Sequence, residues 1–380
     1  MSRWPRVALR QILDPVGDRI SLDPDTTYSQ VTARLWGKGL ALRGSLKGAE
    51  IAASQQTRVR AGQFLISKID ARHGAFGIVP PELDGAVVSN DFPVFAVNQG
   101  KALPDYVSWV SRTDWFVALC RHASEGSTNR VRLKEARLLA QEVPLPPLED
   151  QRRIVERLDG AAARVEARRH AAAGVERELA ATLRAAFARI TADAPCARMG
   201  DIAPLVRRPV TIDPDATYTE IGVKSFYRGL FSRRTVKGEM FDWQKLFAIE
   251  KGDLIFSNLM AWEQAIGLAD EAHAGSVGNH RMLTCSVDPH RATPEFLYYY
   301  FTTDEGFSQV VSASPGTMVR NKTLSTKLLP NITVPVPSLD DQRWFDRLQD
   351  RAHAARAAQA EAASQLDHLL PAMLHEAFCE

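Results

Sequence analysis

Apolar positions along the chain follow two different rhythms, and each rhythm occurs twice. In the first 148 residues short apolar runs stand between turn formers. They are Gln63-Phe64-Leu65-Ile66-Ser67, Gly85-Ala86-Val87-Val88-Ser89 and Phe92-Pro93-Val94-Phe95-Ala96-Val97. Such runs, bounded by Gly, Pro, Asn and Asp, predict strands of a mixed or mainly β domain. A helix is predicted after Pro104, over 105–119, and a counterpart after Pro294, over 295–311, because proline presets φ for the first helical turn. Over 149–190 the rhythm changes. Proline disappears, alanine is dense, and apolar residues step by fours and threes through Ile154, Leu158, Ala161, Val165, Ala172, Val175, Leu179, Leu183, Phe187 and Ile190. From Asp340 onward the same rhythm returns through Phe345, Leu348, Ala352, Ala355, Ala362, Leu366, Leu369 and Met373. This is the heptad pattern of coiled-coil helices, here about 40 residues and so roughly 60 Å long. Antiparallel pairing of the two is the expected geometry. Gly160 and Gly174 each cost about 1 kcal/mol relative to alanine and mark either close contacts or mild imperfections.

The two halves are copies. Ile20 to Leu40 (ISLDPDTTYSQVTARLWGKGL) aligns without a gap on Val210 to Leu230 (VTIDPDATYTEIGVKSFYRGL), so that Asp213 lies 190 positions after Asp23. Gly62-Gln63-Phe64-Leu65-Ile66-Ser67 falls on Gly252-Asp253-Leu254-Ile255-Phe256-Ser257 at the same offset. A repeat this long is too large for a solenoid, whose periods run about 20–50 residues, so a whole module is duplicated. Two similar surfaces in one chain suit a target with two similar halves.

Composition narrows the class. The chain has 380 residues, 45% hydrophobic and 24% charged, which is ordinary for a globular protein of two domains. Net charge is only +2, so any affinity for a polyanion must come from local patches. Cys120, Cys196, Cys285 and Cys379 form no CxxC pair, which argues against a metal site or a disulfide framework and points to a reducing, cytoplasmic compartment. The sequence has no apolar signal region at its start and no run of about 18 apolar residues, so neither secretion nor a membrane span is expected.

The junctions into the two helical runs carry a specific signature. Val143-Pro144-Leu145-Pro146-Pro147-Leu148-Glu149-Asp150-Gln151-Arg152 opens one, and Val334-Pro335-Val336-Pro337-Ser338-Leu339-Asp340-Asp341-Gln342-Arg343 opens the other. Proline fixes φ and holds its predecessor extended, so the chain enters each helix stiffly, with acids at the positive end of the helix dipole. This pair resembles the P-x-P-(P)-L-x-[ED]-Q junction of the specificity (S) subunits of type I restriction-modification enzymes. Ser124-Glu125-Gly126-Ser127-Thr128 and Ser314-Pro315-Gly316-Thr317 resemble that family's G-[ST]-T loop, although Met318 breaks the pattern, and Ser338 replaces a proline of the junction. The stretch from Gly252 through Glu263 resembles its strand-turn segment. The resemblance spans both halves.

It implies an α+β fold with two mixed α/β target recognition domains in tandem, 1–148 and 193–339, separated by long helices, 149–192 and 340–380, that form an antiparallel coiled coil. It implies a DNA specificity subunit in which each domain reads one half of a bipartite, asymmetric site and the helices set the gap. It further implies a non-catalytic chain whose partners are double-stranded DNA, two methyltransferase (M) subunits and a motor-nuclease (R) subunit, with S-adenosylmethionine on the methyltransferase and no cofactor on this chain. The outward helix faces, with Arg153, Arg157, Arg164 and Arg168, are the expected docking surface. A DNA reader serving another defence system, and a stand-alone nuclease, are the alternatives.

Basic and polar residues cluster within each domain. The first cluster holds Arg34, Lys38, Arg43, Lys47, Arg58, Arg60, Lys68 and Arg72, with Trp36 and His73 among them. The second holds Lys224, Arg228, Arg233, Arg234, Lys237, Asn258, Trp262, His280 and Arg281. Lys and Arg neutralise phosphates, and Arg, Lys and Asn also read base edges. Gly37, Gly39 and Gly229 allow close backbone approach to a ligand or simply make turns. Arg72-His73-Gly74 stands against Trp262-Glu263-Gln264, so two half-sites read by the two domains would differ in sequence. The chain has no G-x-x-x-x-G-K-[ST] loop, no N-P-P-[FY] motif and no G-x-G-x-x-G, which leaves the chemistry to partners.

Overall fold

Strand Phe64–Ile66 is buried on both faces, and its three side chains sort by alternation. Phe64 and Ile66 join a core with Phe76, Phe95, Tyr106 and Phe116, while Leu65 joins a second core with Val31, Leu40, Val88 and Val94. A strand buried on both faces is the middle layer of a stack. Strand Leu254–Ser257 does the same, with Leu254 and Phe256 on one side and Ile255 on the other. The computed structural model describes residues 4–126, 131–241, 245–316 and 322–379.

The chain forms two compact units, residues 1–172 with 359–380, and residues 173–358. In the first, a four-stranded antiparallel sheet (Leu13–Pro15, Val94–Val97, Phe64–Ile66, Phe76–Ile78) accompanies a five-stranded sheet (Arg19–Ser21, Gln55–Arg58, Val87–Val88, Thr27–Ala33, Leu40–Lys47) whose one parallel register pairs Gln30 with Val87. In the second, the sheets are Leu205–Val206, Met282–Cys285, Leu254–Ser257, Ile266–Leu268, and Leu230–Lys237, Thr217–Val223, Val277–Asn279, Leu246–Ala248, with Glu220 parallel to Val277. The fifth strand is reduced there to a bridge between Pro209 and Phe247.

The helices expected over 105–119 and 295–311 are each divided in two, Pro104–Ser111 with Asp114–His122, and Pro294–Thr302 with Asp304–Ser312. Threonine makes both breaks. The Thr113 hydroxyl donates to the Val110 carbonyl at 2.7 Å and accepts the Phe116 N–H at 3.3 Å. Thr303 donates to Tyr300 at 2.7 Å and accepts from Gly306 at 3.2 Å. Each ends one helix and caps the next.

The long helices are Leu148–Thr191 and Leu339–Cys379. Their heptad residues are buried where a domain core lies beside them: Leu158, Ala161 and Val165 in the first unit, Leu183, Phe187, Phe345 and Ala352 in the second. Within the first unit the helices run antiparallel, tied by Arg157 to Glu376 and Arg169 to Asp367. Within the second the same sense is set by Arg356 to Glu176 and by Phe187 against Phe345, ring centroids 5.4 Å apart. Leu369 is exposed, while Leu370, Met373 and Leu374 pack on the core, so the heptad reading slips by one position next to Pro371. Gly160 and Gly174 mark no close helix contact, because a Cβ there would meet only arginine side chains, at 3.5 and 3.9 Å. Among the described residues no helix is long and apolar enough to cross a membrane. Gln151 and Gln342, both fully buried, fasten the start of each long helix to the loop before the first short helix.

Candidate nucleic-acid interface

Each unit extends one long hairpin, Thr27–Ala33 with Leu40–Lys47 and Thr217–Val223 with Leu230–Lys237, and each carries a bulge at the same place, Gln30/Val31 and Glu220/Ile221. The most alike stretch of the two repeats roots these hairpins. Asp23 Oδ1 accepts the Asp25 N–H and Asp213 Oδ1 the Asp215 N–H, both at 3.0 Å. The hydroxyls of Tyr28 and Tyr218 accept the N–H of Asp23 and Asp213 at 2.9 and 3.0 Å. Gly48 and Gly238 complete the root, since a Cβ would lie 2.1 Å from the Asp23 carbonyl oxygen or 1.9 Å from that of Asp213. The repeat is therefore a rigid mounting, and the variable chemistry is carried beyond it.

Four basic positions recur on the hairpins. Arg34, Lys38, Arg43 and Lys47 stand 190 positions before Lys224, Arg228, Arg233 and Lys237, and all eight are exposed. Arg34 folds back to donate to the Lys38 carbonyl at 2.6 Å. Leu40–Lys47 and Leu230–Lys237 are edge strands. Charged side chains there also discourage edge-to-edge pairing. Gly37, Gly39 and Gly229 all have positive φ, so they make the turns of the hairpin tips.

A second loop crosses each tip. Gly37 N–H donates to the Gly74 carbonyl and Tyr227 N–H to that of Gln264, both at 3.0 Å. This loop carries Lys68, Arg72 and His73 in the first unit and Asn258 and Trp262 in the second, and much of their bonding capacity is used locally. Lys68 pairs with Glu135 at 2.8 Å. Arg72 Nε donates to His73 Nε2 at 3.1 Å. Asn258 donates to the Leu324 carbonyl at 2.7 Å, and Trp262 Nε1 to that of Leu259 at 2.8 Å. Of the wider cluster, Arg60 lies 3.6 Å from Asp84.

The second unit adds a groove of about 860 Å³, lined by Arg233, Arg234, Lys245, His280 and Arg281 over Leu259 and Met260. At its side lies Glu220, with no exposed surface. Its carboxylate accepts from Arg234 Nε at 2.8 Å, Asn279 at 3.0 Å and Arg233 at 3.4 Å. A buried carboxylate held by two guanidiniums fixes their planes and leaves further N–H donors facing outward. The first unit has Gln30, Arg43, Gly44 and Ser89 at these positions. Where Arg281 stands in the second unit, the first has Asp91, which binds Arg132 at 2.7 Å. Two like frames thus carry unlike charge. Sequence reasoning did not single out Glu220 or Asn279; the one visible signal is an acid inside a β run where the other repeat has glutamine.

Ser127, Thr128, Thr317 and Met318 of the expected G-[ST]-T loops lie outside the described residues. Among the described residues no group of three or more His, Cys, Asp or Glu is placed to hold a metal ion. On the first long helix Arg153, Arg164 and Arg168 are exposed, but Arg157 reaches across to the partner helix, with its two terminal nitrogens 3.1 and 2.8 Å from Glu376.

Comparison with known proteins agrees with this architecture. Residues 31–174 match the family model of the type I restriction modification DNA specificity domain. The structure is similar to the HsdS subunit from Thermoanaerobacter tengcongensis, at 21% identity and TM-score 0.62, covering 99% of this chain and 96% of that one. It is also similar to a chain from a structure on complex assembly and conformational transition of the type I R-M system, at 20% identity and TM-score 0.68, covering 99% and 97%. No curated protein matches by sequence. The family resemblance read from the junction motifs and the α+β tandem fold are both borne out.

Proposed function

We propose that this chain, whose residues 31–174 carry a type I restriction modification DNA specificity domain, reads a bipartite and asymmetric DNA site for a restriction-modification complex. Each unit reads one half-site with its hairpin and the loop that crosses it. The single observation that carries the reading is the recurrence of four exposed basic positions on two hairpins with identical roots. Phosphates take cations without regard to sequence, so these positions suit the duplex backbone. Base recognition falls to what differs, chiefly Arg234 and Arg281 in the second unit against Gly44 and Asp91 in the first. An arginine with a fixed plane suits the O6/N7 edge of guanine. The two long helices set the number of unread base pairs, and their exposed faces receive methyltransferase subunits that supply S-adenosylmethionine and the chemistry. A motor-nuclease subunit joins that complex. The chain itself is non-catalytic and works in the cytoplasm.

Single-molecule sequencing of modified bases tests this, in cells carrying the methyltransferase partner with and without this gene. Adenine methylation at one gapped, asymmetric motif that disappears with the gene is the expected result. Methylation unchanged by the gene overturns the reading.

A further inference from the structure

Trp36 is 70% exposed and Phe226 is 63% exposed, and they occupy the same place at the tips of the two hairpins. Both have positive φ, 64° and 61°. For a bulky side chain that conformation costs about 1–2 kcal/mol. The fold enforces it with backbone bonds. Trp36 N–H donates to the His73 carbonyl at 2.7 Å, and Phe226 N–H to the Glu263 carbonyl at 3.0 Å. The rings are also steadied from the side. The His73 ring meets Trp36 edge-on at 6.0 Å, and the Arg228 guanidinium lies 5.8 Å from the Phe226 ring centre. A strained backbone that holds an aromatic ring out in water gains nothing for stability, so the ring is placed for something outside the chain.

The surroundings identify its chemistry. Arg34 and Lys38 flank Trp36, Lys224 and Arg228 flank Phe226, and all four are exposed. A ring among cations is a poor match for an apolar protein surface. It matches a polyanion with a stacked apolar interior, which describes duplex DNA. Exposed Ile69 and Leu259 stand at equivalent positions of the loop that crosses each tip.

We propose that Trp36 and Phe226 are wedges that enter the base stack of duplex DNA, one at each half-site, and each unstacks a single base step. This rests on the DNA-reading function proposed above. Apolar side chains inserted between base pairs unstack and kink the duplex, at least cost at flexible pyrimidine–purine steps. Part of the sequence preference then comes from the ease of opening that step rather than from hydrogen bonds.

The test uses the full chain. A randomised duplex library is first selected on the wild-type protein. The enriched duplex is then made with 2-aminopurine at each half-site position in turn, and its fluorescence is read on binding. Wild type is expected to raise emission at one step in each half. Trp36→Asn is expected to abolish the rise in one half only, and Phe226→Asn in the other, each weakening binding about 10- to 100-fold with the salt slope unchanged. Asparagine tolerates positive φ, so the tip backbone survives the loss of the ring. Trp36→Gly and Phe226→Gly serve if the asparagine variants melt lower. Trp36→Phe and Phe226→Trp should keep the rise. If wild type enriches no sequence, the DNA-reading function falls and the wedge with it. If a motif is enriched but no position brightens, or brightening survives in the asparagine and glycine variants, the wedge alone is overturned.

Discussion

The side-chain oxygen of Gln151 accepts the backbone N–H of Leu103 at 2.9 Å, and the same amide donates at 2.8 Å to the carbonyls of Lys101 and Pro146. Gln342 repeats this in the second unit with Thr293 at 2.9 Å, Arg291 at 3.2 Å and Pro337 at 2.8 Å. One buried amide thus binds three backbone groups on two segments, the loop before the first short helix and the junction before the long one, and fixes the angle at which each long helix leaves its domain. Gln151→Ala or Gln342→Ala strands these backbone groups. Each is expected to cost about 1–3 kcal/mol, read as a lower urea midpoint with an unchanged m-value.

Glu220 is a buried charge whose cost is offset by its guanidinium neighbours. Arg234→Ala leaves that charge under-compensated and is expected to destabilise by about 3 kcal/mol in a thermal or urea melt. Adding Glu220→Gln should recover much of the loss, so the two effects will not add. Two losses that simply add would show that Glu220 and Arg234 do not act as a pair.

The recurring basic positions make a separate prediction about salt. Arg34→Ala, Lys38→Ala, Lys224→Ala and Arg228→Ala should each flatten the slope of log affinity against log salt by about 0.9 for every phosphate that the wild-type side chain neutralises. They should weaken specific and non-specific duplexes alike. Equilibrium binding at several salt concentrations reads both quantities.

The helix pairs are held by packing more than by ion pairs. Phe187 lies against Phe296, Tyr299 and Phe345 at centroid distances of 5.3, 5.0 and 5.4 Å. Phe187→Ala is expected to cost about 3–5 kcal/mol. Arg157→Ala, at an exposed and solvent-screened pair, should barely move the melting temperature, and calorimetry of the two variants separates the contributions.

Asp346, where the second long helix begins, has its carboxyl pushed up to about 6 by burial, with the charges of Glu295 and Asp350 adding to the effect. The native state therefore holds a proton that the unfolded chain releases near pH 4. Stability from this group falls as pH rises from about 4 to about 6, and the full penalty stands at neutral pH. Asp346→Asn should raise the melting temperature at pH 7.5, and the gain should fade below pH 4.

Much of this was legible in residue order. The offset of 190, the strands around Phe64 and Val94 and the two long helices follow from sequence pattern, whereas the basic residues stood out there only as clusters and not as positions on two hairpins. The junction motif was visible, but its purpose was not: Gln151 acts through Lys101 and Leu103, some 50 positions away, and no local rule reports that. The breaks at Thr113 and Thr303 left a local signal, a threonine followed by an acid in Thr113-Asp114 and Thr303-Asp304, but the apolar residues on either side keep a helical spacing that masks it. Lys68 and Asn258 look free in the sequence, yet Glu135 and the Leu324 carbonyl, each more than 60 positions away, engage them. Trp36 reads there only as a neighbour of basic residues, since its outward pose depends on a carbonyl of the crossing loop.

The first unit is assembled from two stretches of chain, and the second unit lies between them in sequence. On the ribosome, residues 1–172 emerge first but lack the segment that carries Leu370, Met373 and Phe378. Leu158, buried in the same core as Phe378, is left without that cover until residues 173–358 have been made. The second unit is continuous and meets no such delay. Biosynthesis therefore finishes the later module first, and the earlier one spends the interval with an apolar helix face open to chaperones or to another helix that can stand in.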